Sequence, residues 1–382
     1  MGLNSSIQAM NFNNVLKYRI FILLIAYIGL QILLLYQFGI VTHFEAAKYI
    51  DQAHNLILRE QYTSNNFFFY STQILLIAVC IKLKIGFWFV VLLQIIANAF
   101  SLFLFHQLVK SITGRRFIAF GATLFFLGMF YYQLYNVHLF TESLFFSFSI
   151  FFAFYLFNLK KVNPISLLVT VMSLTILLFT RPTGVLFIPS TILFFIIRFG
   201  KKRALPFFVL SAVGGLTLFY FLLNAALNSG GEFDFLLPYI QEHVICGVPT
   251  VQRPHHITMP VNKNSVEGLW HLMLNNSDLF FSLIKKRFLA FWGVTRPFFS
   301  FGHNVFIAFY FYSLYILIFL GLKRMFTHYV AETVFMLTYI FFIMLTVLLS
   351  CDEWHNRFIF SILPFLLLLA AGVFARKKDT VI

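Results

Sequence analysis

Residues Thr42–Asn66 read THFEAAKYIDQAHNLILREQYTSNN, a polar interruption in a chain otherwise built from long runs of Phe, Leu and Ile. Glu45, Lys48, Tyr49 and Asp51 crowd together with His43 where the apolar run Ile20 to Ile40 has just ended. A run of that length suits a helix crossing the hydrocarbon core, which takes roughly 17–25 residues. It is too long for a signal-peptide core, and no small-residue cleavage site precedes the acidic loop. The 42–66 stretch therefore reads as the first connection outside a bilayer, and as the floor of a site held against the lipid surface.

The rest of the composition agrees. Of 382 residues, 60% are hydrophobic and only 11% charged, with a mean hydropathy of +0.86. Soluble domains carry about a quarter charged residues, so a multi-span integral membrane protein is expected. The 55 Phe and 17 Tyr suit lipid-facing helices and an interfacial belt and carry no chemistry by themselves. Cys80, Cys246 and Cys351 form no CxxC pair, which argues against a zinc knuckle or redox motif. Cys246 and Cys351 fall on the same side and could pair, although two free thiols are the favoured reading.

Ten apolar runs are read as spans: 20–40, 87–108, 117–135, 143–159, 164–180, 184–199, 205–227, 304–322, 329–349 and 358–375. An eleventh, Phe67 to Ile81, is shorter and ends at Lys82 and Lys84. If it does not cross, Lys17/Arg19, Lys110/Arg115/Arg116, Lys160/Lys161, Arg198/Lys201/Lys202/Arg203, Lys323/Arg324 and Arg376/Lys377/Lys378 all fall on the cytoplasmic side. If it does, every cluster after the first is flipped. The run is therefore placed as a juxtamembrane helix on the outer surface, with both termini inside. The inner side then carries sixteen bases against two acids (Glu332 and Asp379), net +14, and the outer side twelve against eleven. The net charge of +15 is a topology signal, and nucleic acid is not an expected partner.

The expected fold is thus an all-α polytopic membrane protein of about ten spans, one membrane domain over 1–382. Its first outer loop, 41–86, holds juxtamembrane helices, and a longer outer loop, 228–303, precedes the eighth span. Within that loop GVPTVQRPHHITMP (247–260) is expected to be irregular. Val266 to Trp292 has the periodicity of an amphipathic helix or helix pair, with Trp270 and Trp292 at headgroup level.

Candidate chemistry gathers on the outer side. Glu45, Tyr49 and Gln52 share one helical face, although an acid at a helix start is favoured in any case. NVHLFTE (136–142) sets His138 and Glu142 at the surface between the third and fourth spans. Thr141 and Glu142 also fit a helix cap, yet a cap does not explain a second acid on the side of Glu45. Exposing such a charge to mid-membrane hydrocarbon would cost about 3 kcal/mol, so it is expected to face a cavity or partner. Arg181 (RPTG), Arg296 (VTRPFFSFGHN) and Arg357 (CDEWHNRF) stand at outer helix ends against the positive-inside bias. Binding of a phosphate is favoured for all three over snorkelling, with Asp352 and Glu353 as alternative structural partners of Arg357. Lys285, Lys286 and Arg287 form a further basic run.

The order and sidedness of these pieces resemble the C-type (GT-C) membrane glycosyltransferases. The shared features are an acid and juxtamembrane helix in the first outer loop, the Thr141-Glu142 acid in the second, the Arg181-Pro182-Thr183-Gly184 turn, and Arg357-Phe358-Ile359-Phe360-Ser361-Ile362-Leu363-Pro364 leading into the last span. Within that superfamily the chain is most similar in layout to polyprenyl-phosphate-mannose protein mannosyltransferases and bacterial lipid A sugar transferases. The resemblance implies transfer from a polyprenyl-phosphate-linked sugar to a glycan, lipid or protein acceptor at the outer face of a bacterial inner (plasma) membrane. It makes Glu45 the base and Glu142 the second catalytic acid, with Arg181, Arg296 and Arg357 on the donor phosphate. Tyr49, His138, His303 and His355 are left for the sugar or acceptor. The family usually has Asp in the first loop; Asp51 follows Tyr49, so Glu45 is kept.

The chemistry asks for the same residue types. A polyprenyl phosphate leaves once its charge is matched by cations, and one carboxylate must take the acceptor proton. Direct displacement would invert the anomeric centre. No cofactor is required; a divalent metal is an option, with Glu45, His138, Glu142 and His355 as its ligands. A transporter or flippase should instead carry charges inside its spans, which are nearly charge-free here. An O-antigen ligase or polymerase would use Arg and His on a large outer loop without the early acid.

Overall fold

Every described stretch of regular structure is helical. The computed structural model describes residues 3–59, 61–200, 205–228, 236–248, 258 and 265–377. Lys201, Lys202, Arg203, Lys378, Asp379 and most of 247–260 lie outside the described residues. The helices are α1 (Leu3–Phe38), α2 (Glu45–Arg59), α3 (Ser71–Leu83), α4 (Trp88–Thr113), α5 (Arg116–Leu127), α6 (Phe130–Gln133), α7 (Glu142–Phe157) and α8 (Pro164–Thr180). They continue as α9 (Phe187–Phe199), α10 (Leu205–Asn228), α11 (Leu236–Ile240), α12 (Val266–Asn275), α13 (Ser277–Gly293), α14 (Phe301–His328), α15 (Val330–Leu349) and α16 (Arg357–Ala371).

Among the described residues, seven segments are long and apolar enough to cross a membrane: Tyr18–Phe38, Asn65–Leu83, Trp88–Thr113, Pro182–Phe199, Phe301–His328, Val330–Leu349 and Arg357–Phe374. The third apolar run is a pair of helices, Arg116–Leu127 and Phe130–Val137, bent by 70° at the break, and counts as an eighth if the pair forms one span. Glu142–Phe157 and Pro164–Thr180 are shorter apolar helices.

Asn65–Leu83, expected to lie on the surface, thus has the length and apolarity of a span. Its contacts set how far it travels. Gln73, near the start of α3, donates to Gln94, six residues into α4. The chain therefore runs about 15 Å along α3, turns at Lys84–Phe87, and regains the level of Gln73 after about 9 Å of α4.

Helix α16 is the axis. Nearly every residue of Arg357–Ala371 is buried, against α14 and α15 on one side and α4, α5 and α7 on the other. Its close approach to α14 requires a glycine: a Cβ on Gly321 would lie 2.5 Å from the Val373 amide nitrogen. Small residues at such a crossing let backbones meet where lipid supplies no hydrophobic drive. Phe187 stacks on Tyr339 (ring centroids 3.9 Å) and meets Phe335 and Phe365, filling the space between α9, α15 and α16.

The bundle has two chemically distinct ends. At one, Arg198 pairs with Glu332 (3.4 Å), and Tyr329 donates to the Ser111 and Ile112 carbonyls (3.1 Å each). The Arg376 amide donates to the same Ile112 carbonyl, and the Arg324 guanidinium to that of Val373. The other end gathers Glu45, Glu142, Arg181 and Arg357. Beside the latter sits a smaller core of Leu236, Tyr239, Leu272, Phe280 and Leu283, built by α11–α13. The amphipathic stretch is two helices, the first capped by Ser265, whose hydroxyl accepts from the Gly268 N–H at 2.9 Å. Trp270 is exposed, whereas Trp292 is half-buried against Met344 of α15 and is not a free headgroup anchor.

Candidate functional site

Four separate connections build the site. The first two are stitched by a parallel bridge: the Val41 amide donates to Val137 O (3.0 Å), and the Leu139 amide donates to Val41 O (3.2 Å). Phe44 turns through the left-handed region (φ 59°), and Glu45 follows as the first residue of α2. The irregular 134–141 segment is buried, so its backbone groups need partners. Gln94 supplies them, donating to the carbonyls of Asn136 (3.1 Å) and His138 (2.8 Å). Asn136 in turn donates to Gln31 (3.3 Å) and accepts from Ser143 (2.7 Å). This amide chain sets Glu142 at the start of α7.

Arg181 ends α8 because Pro182 follows it; the ring disfavours helical backbone at the residue before. The Pro-Thr-Gly turn then folds onto the helix end, where a Cβ on Gly184 would meet the Leu177 carbonyl at 2.3 Å. The fourth segment is 351–357. Cys351 is disulfide-bonded to Cys246, correcting the reading of two free thiols. Sequence spacing hid this, since the two lie 105 residues apart. Beside it Asp352 and Ile245 form a second bridge, with Cys246 N–H donating to Asp352 O at 2.7 Å.

At the centre, Arg357 grips Glu45 with two nitrogens, one contact at 2.6 Å. It also holds Glu142 (2.9 Å) and Glu353 (3.1 Å). Arg181 binds the same Oε1 of Glu142. Three carboxylates thus share two guanidiniums. Burial alone would lower the Arg181 pKa, and Glu142 more than reverses it. Burial pushes the Tyr49 hydroxyl up, with Glu45 adding to it. Burial also lowers the His138 imidazole.

Exposure separates the roles. Glu142 has 0% of its side chain exposed and anchors both arginines. Glu45 and Glu353 are each 24% exposed and are the carboxylates a ligand can reach. Tyr49 is buried beside Tyr70 and lies under the cluster. His138 is half-buried, its Nδ1 on the Leu134 carbonyl at 2.8 Å. His303 is sandwiched between Tyr131 (3.8 Å) and Phe299 (3.9 Å), so neither ring face is open to a sugar. His355 is exposed beside Arg357.

Arg296 does not join the phosphate set. It is buried on Asp352 and donates to the Ala290 and Thr295 carbonyls. Arg287, from the basic run, is likewise buried and donates to the carbonyls of His243, Leu348 and Pro238. The proposed metal ligands are not assembled either: among the described residues no group of three or more His, Cys, Asp or Glu is placed to hold an ion. Guanidinium groups occupy the carboxylates instead. Thr141 does not cap α7 through its side chain; its hydroxyl lies 3.4 Å from Glu142. The residues missed from sequence are Gln31, Gln73 and Gln94, whose signal was an uncharged amide inside an apolar run.

No family model, characterised protein or solved structure matches the chain.

Proposed function

We propose that the chain is a membrane glycosyltransferase that moves a sugar from a polyprenyl-phosphate donor to an acceptor hydroxyl at the outer face of the membrane. One observation carries it: Glu45, Glu142, Arg181 and Arg357, drawn from four distant segments, converge at one end of the helices. Ionisable side chains brought together from separate segments at a membrane helix end, with one carboxylate left reachable, are the pattern that functional sites favour.

Sidedness has two supports. The described basic clusters lie with Arg198 and Arg376 at the opposite end, as cytoplasmic ends do. The Cys246–Cys351 disulfide lies at the site's end, as in oxidising compartments. On this reading Asn65–Leu83 stays on the outer side although it is long enough to cross: counted from Gln73, the α3 limb is about 15 Å, half the hydrocarbon thickness, before the chain turns back into α4.

On this reading the donor phosphate displaces Glu45 from Arg357, which keeps its place through Glu142. Arg181 adds the second cation. The freed Glu45 carboxylate takes the acceptor proton as the hydroxyl oxygen attacks the anomeric carbon. The bond to the phosphate oxygen breaks, its electron pair leaves with the lipid phosphate, and the anomeric centre inverts. The test is transfer by reconstituted protein from polyprenyl-phosphate hexoses, read as released polyprenyl phosphate. Glu45→Gln should insert normally and lose transfer; full transfer by that variant would remove the assignment.

A further inference from the structure

Residues 351–357 present a pattern the transferase reading does not use. Cys351, Asp352, Asn356 and Arg357 are buried, fixed by the disulfide, by Arg296, by the Val294 carbonyl (2.7 Å from Asn356 Nδ2) and by the carboxylates. Between these anchors Glu353, Trp354 and His355 reach the surface. A segment held so firmly at both ends displays its middle residues with little conformational freedom left to lose on binding.

Trp354 is the informative one. A tryptophan that only anchors a protein in the interface directs its N–H to headgroups or water. Here Nε1 donates to the Cys246 carbonyl at 2.5 Å, and the ring leans on Phe298 with centroids 4.9 Å apart. The indole is nonetheless 42% exposed. Its polar edge is therefore spent on the protein, and what remains is apolar ring between a carboxylate and an imidazole.

Resting on the transferase reading, we propose that Glu353, Trp354 and His355 form the acceptor subsite and that the acceptor is itself a sugar. The C–H face of a pyranose stacks on the indole, while ring hydroxyls donate to the Glu353 carboxylate and meet the His355 imidazole. A polypeptide or plain lipid alcohol offers no such face. Glu353 and Glu45 both bind Nη2 of Arg357, at 3.1 and 2.6 Å. A sugar held by Glu353 thus presents a neighbouring hydroxyl to Glu45. Glu45 takes its proton as the new glycosidic bond forms, and Glu353 acts as a positioning residue.

The test uses the full chain in liposomes with Trp88, Trp270 and Trp292 changed to Phe, leaving Trp354 as the reporter. Methyl hexosides and disaccharides should shield it from iodide quenching, and acyl-brominated phospholipids should leave it unquenched. Quenching by brominated lipid, or no shielding by any saccharide, would make Trp354 a lipid contact and overturn the subsite. If that variant fails to insert, the difference between wild-type and Trp354→Phe fluorescence gives the same readout. In transfer assays Trp354→Ala should raise KM for a saccharide acceptor about fivefold, more than it lowers kcat. Loss of transfer in the wild type with saccharide shielding intact would sink the transferase reading and spare the binding site.

Discussion

Two arginines at the same end of the bundle make a useful comparison. Arg296 and Arg357 both stand near outer helix ends, both are buried, and both hold acidic side chains of the 351–357 segment's neighbourhood. Arg296 has one carboxylate partner, Asp352, and donates from Nη1 to two backbone carbonyls, while its buried Nε takes no partner among the described residues. Its side chain and that of Asp352 are each only 1% exposed. Arg357 has three carboxylate partners, two of them reachable from solvent. The difference teaches how to tell a brace from a site: a brace is matched one charge to one and sealed, whereas a site carries surplus charge at an open rim.

The sharpest way to break the comparison is at the rim. Glu45→Gln is expected to cut transfer by about 10²–10⁴-fold, the range for losing a general base, with unchanged thermal unfolding in detergent. Equal losses of activity and stability would put Glu45 in the same class as Arg296. Next, Arg296→Ala should destabilise the protein by about 3–5 kcal/mol by stranding buried Asp352, while Arg296→Met with Asp352→Leu recovers most of it. Activity in the double variant should track the folded fraction; a specific loss of donor affinity would return Arg296 to the phosphate set. Third, Cys246→Ser with Cys351→Ser, or reduction, should cost about 2–4 kcal/mol, read as a lower unfolding midpoint without reductant dependence in the variant. The smallest effect is positional: cysteines replacing Lys82 and Lys110 should label from opposite sides of sealed vesicles with no change in activity. Labelling of position 82 from the cytoplasmic side and of position 110 from the outer side would put α3 across the membrane.

What the sequence disclosed and what it hid follow from how each signal is carried. Apolar runs report spans directly, since a buried helix must be apolar throughout, and the helices duly fall on 20–40, 87–108, 304–322, 329–349 and 358–375. Sidedness is carried by charge, which is why Glu45 and Glu142 could be put together although 97 residues of chain separate them in the printed sequence. Pairing is different. Arg296 and Arg357 look alike in one dimension, and Asp352 stands nearer Arg357 in sequence, yet it bonds Arg296, while Arg357 reaches Glu45 across 312 residues. Amides are quieter still: Gln73 and Gln94 carry no charge to mark the depth at which they clamp the second connection. The bend between α5 and α6 also left no trace, because its residues stay apolar on both sides of Gly128.

The span from Glu45 to Arg357 has a consequence for biosynthesis. The base is made early and its guanidinium clamp 312 residues later, just as the final helix begins. At roughly 5–20 residues per second, the nascent chain spends about 15–60 s with the carboxylate already emerged and its partner not yet translated. Chains that stop short of Arg357 therefore never assemble this cluster, and on the proposed reading no transfer centre exists until α16 has begun to be made.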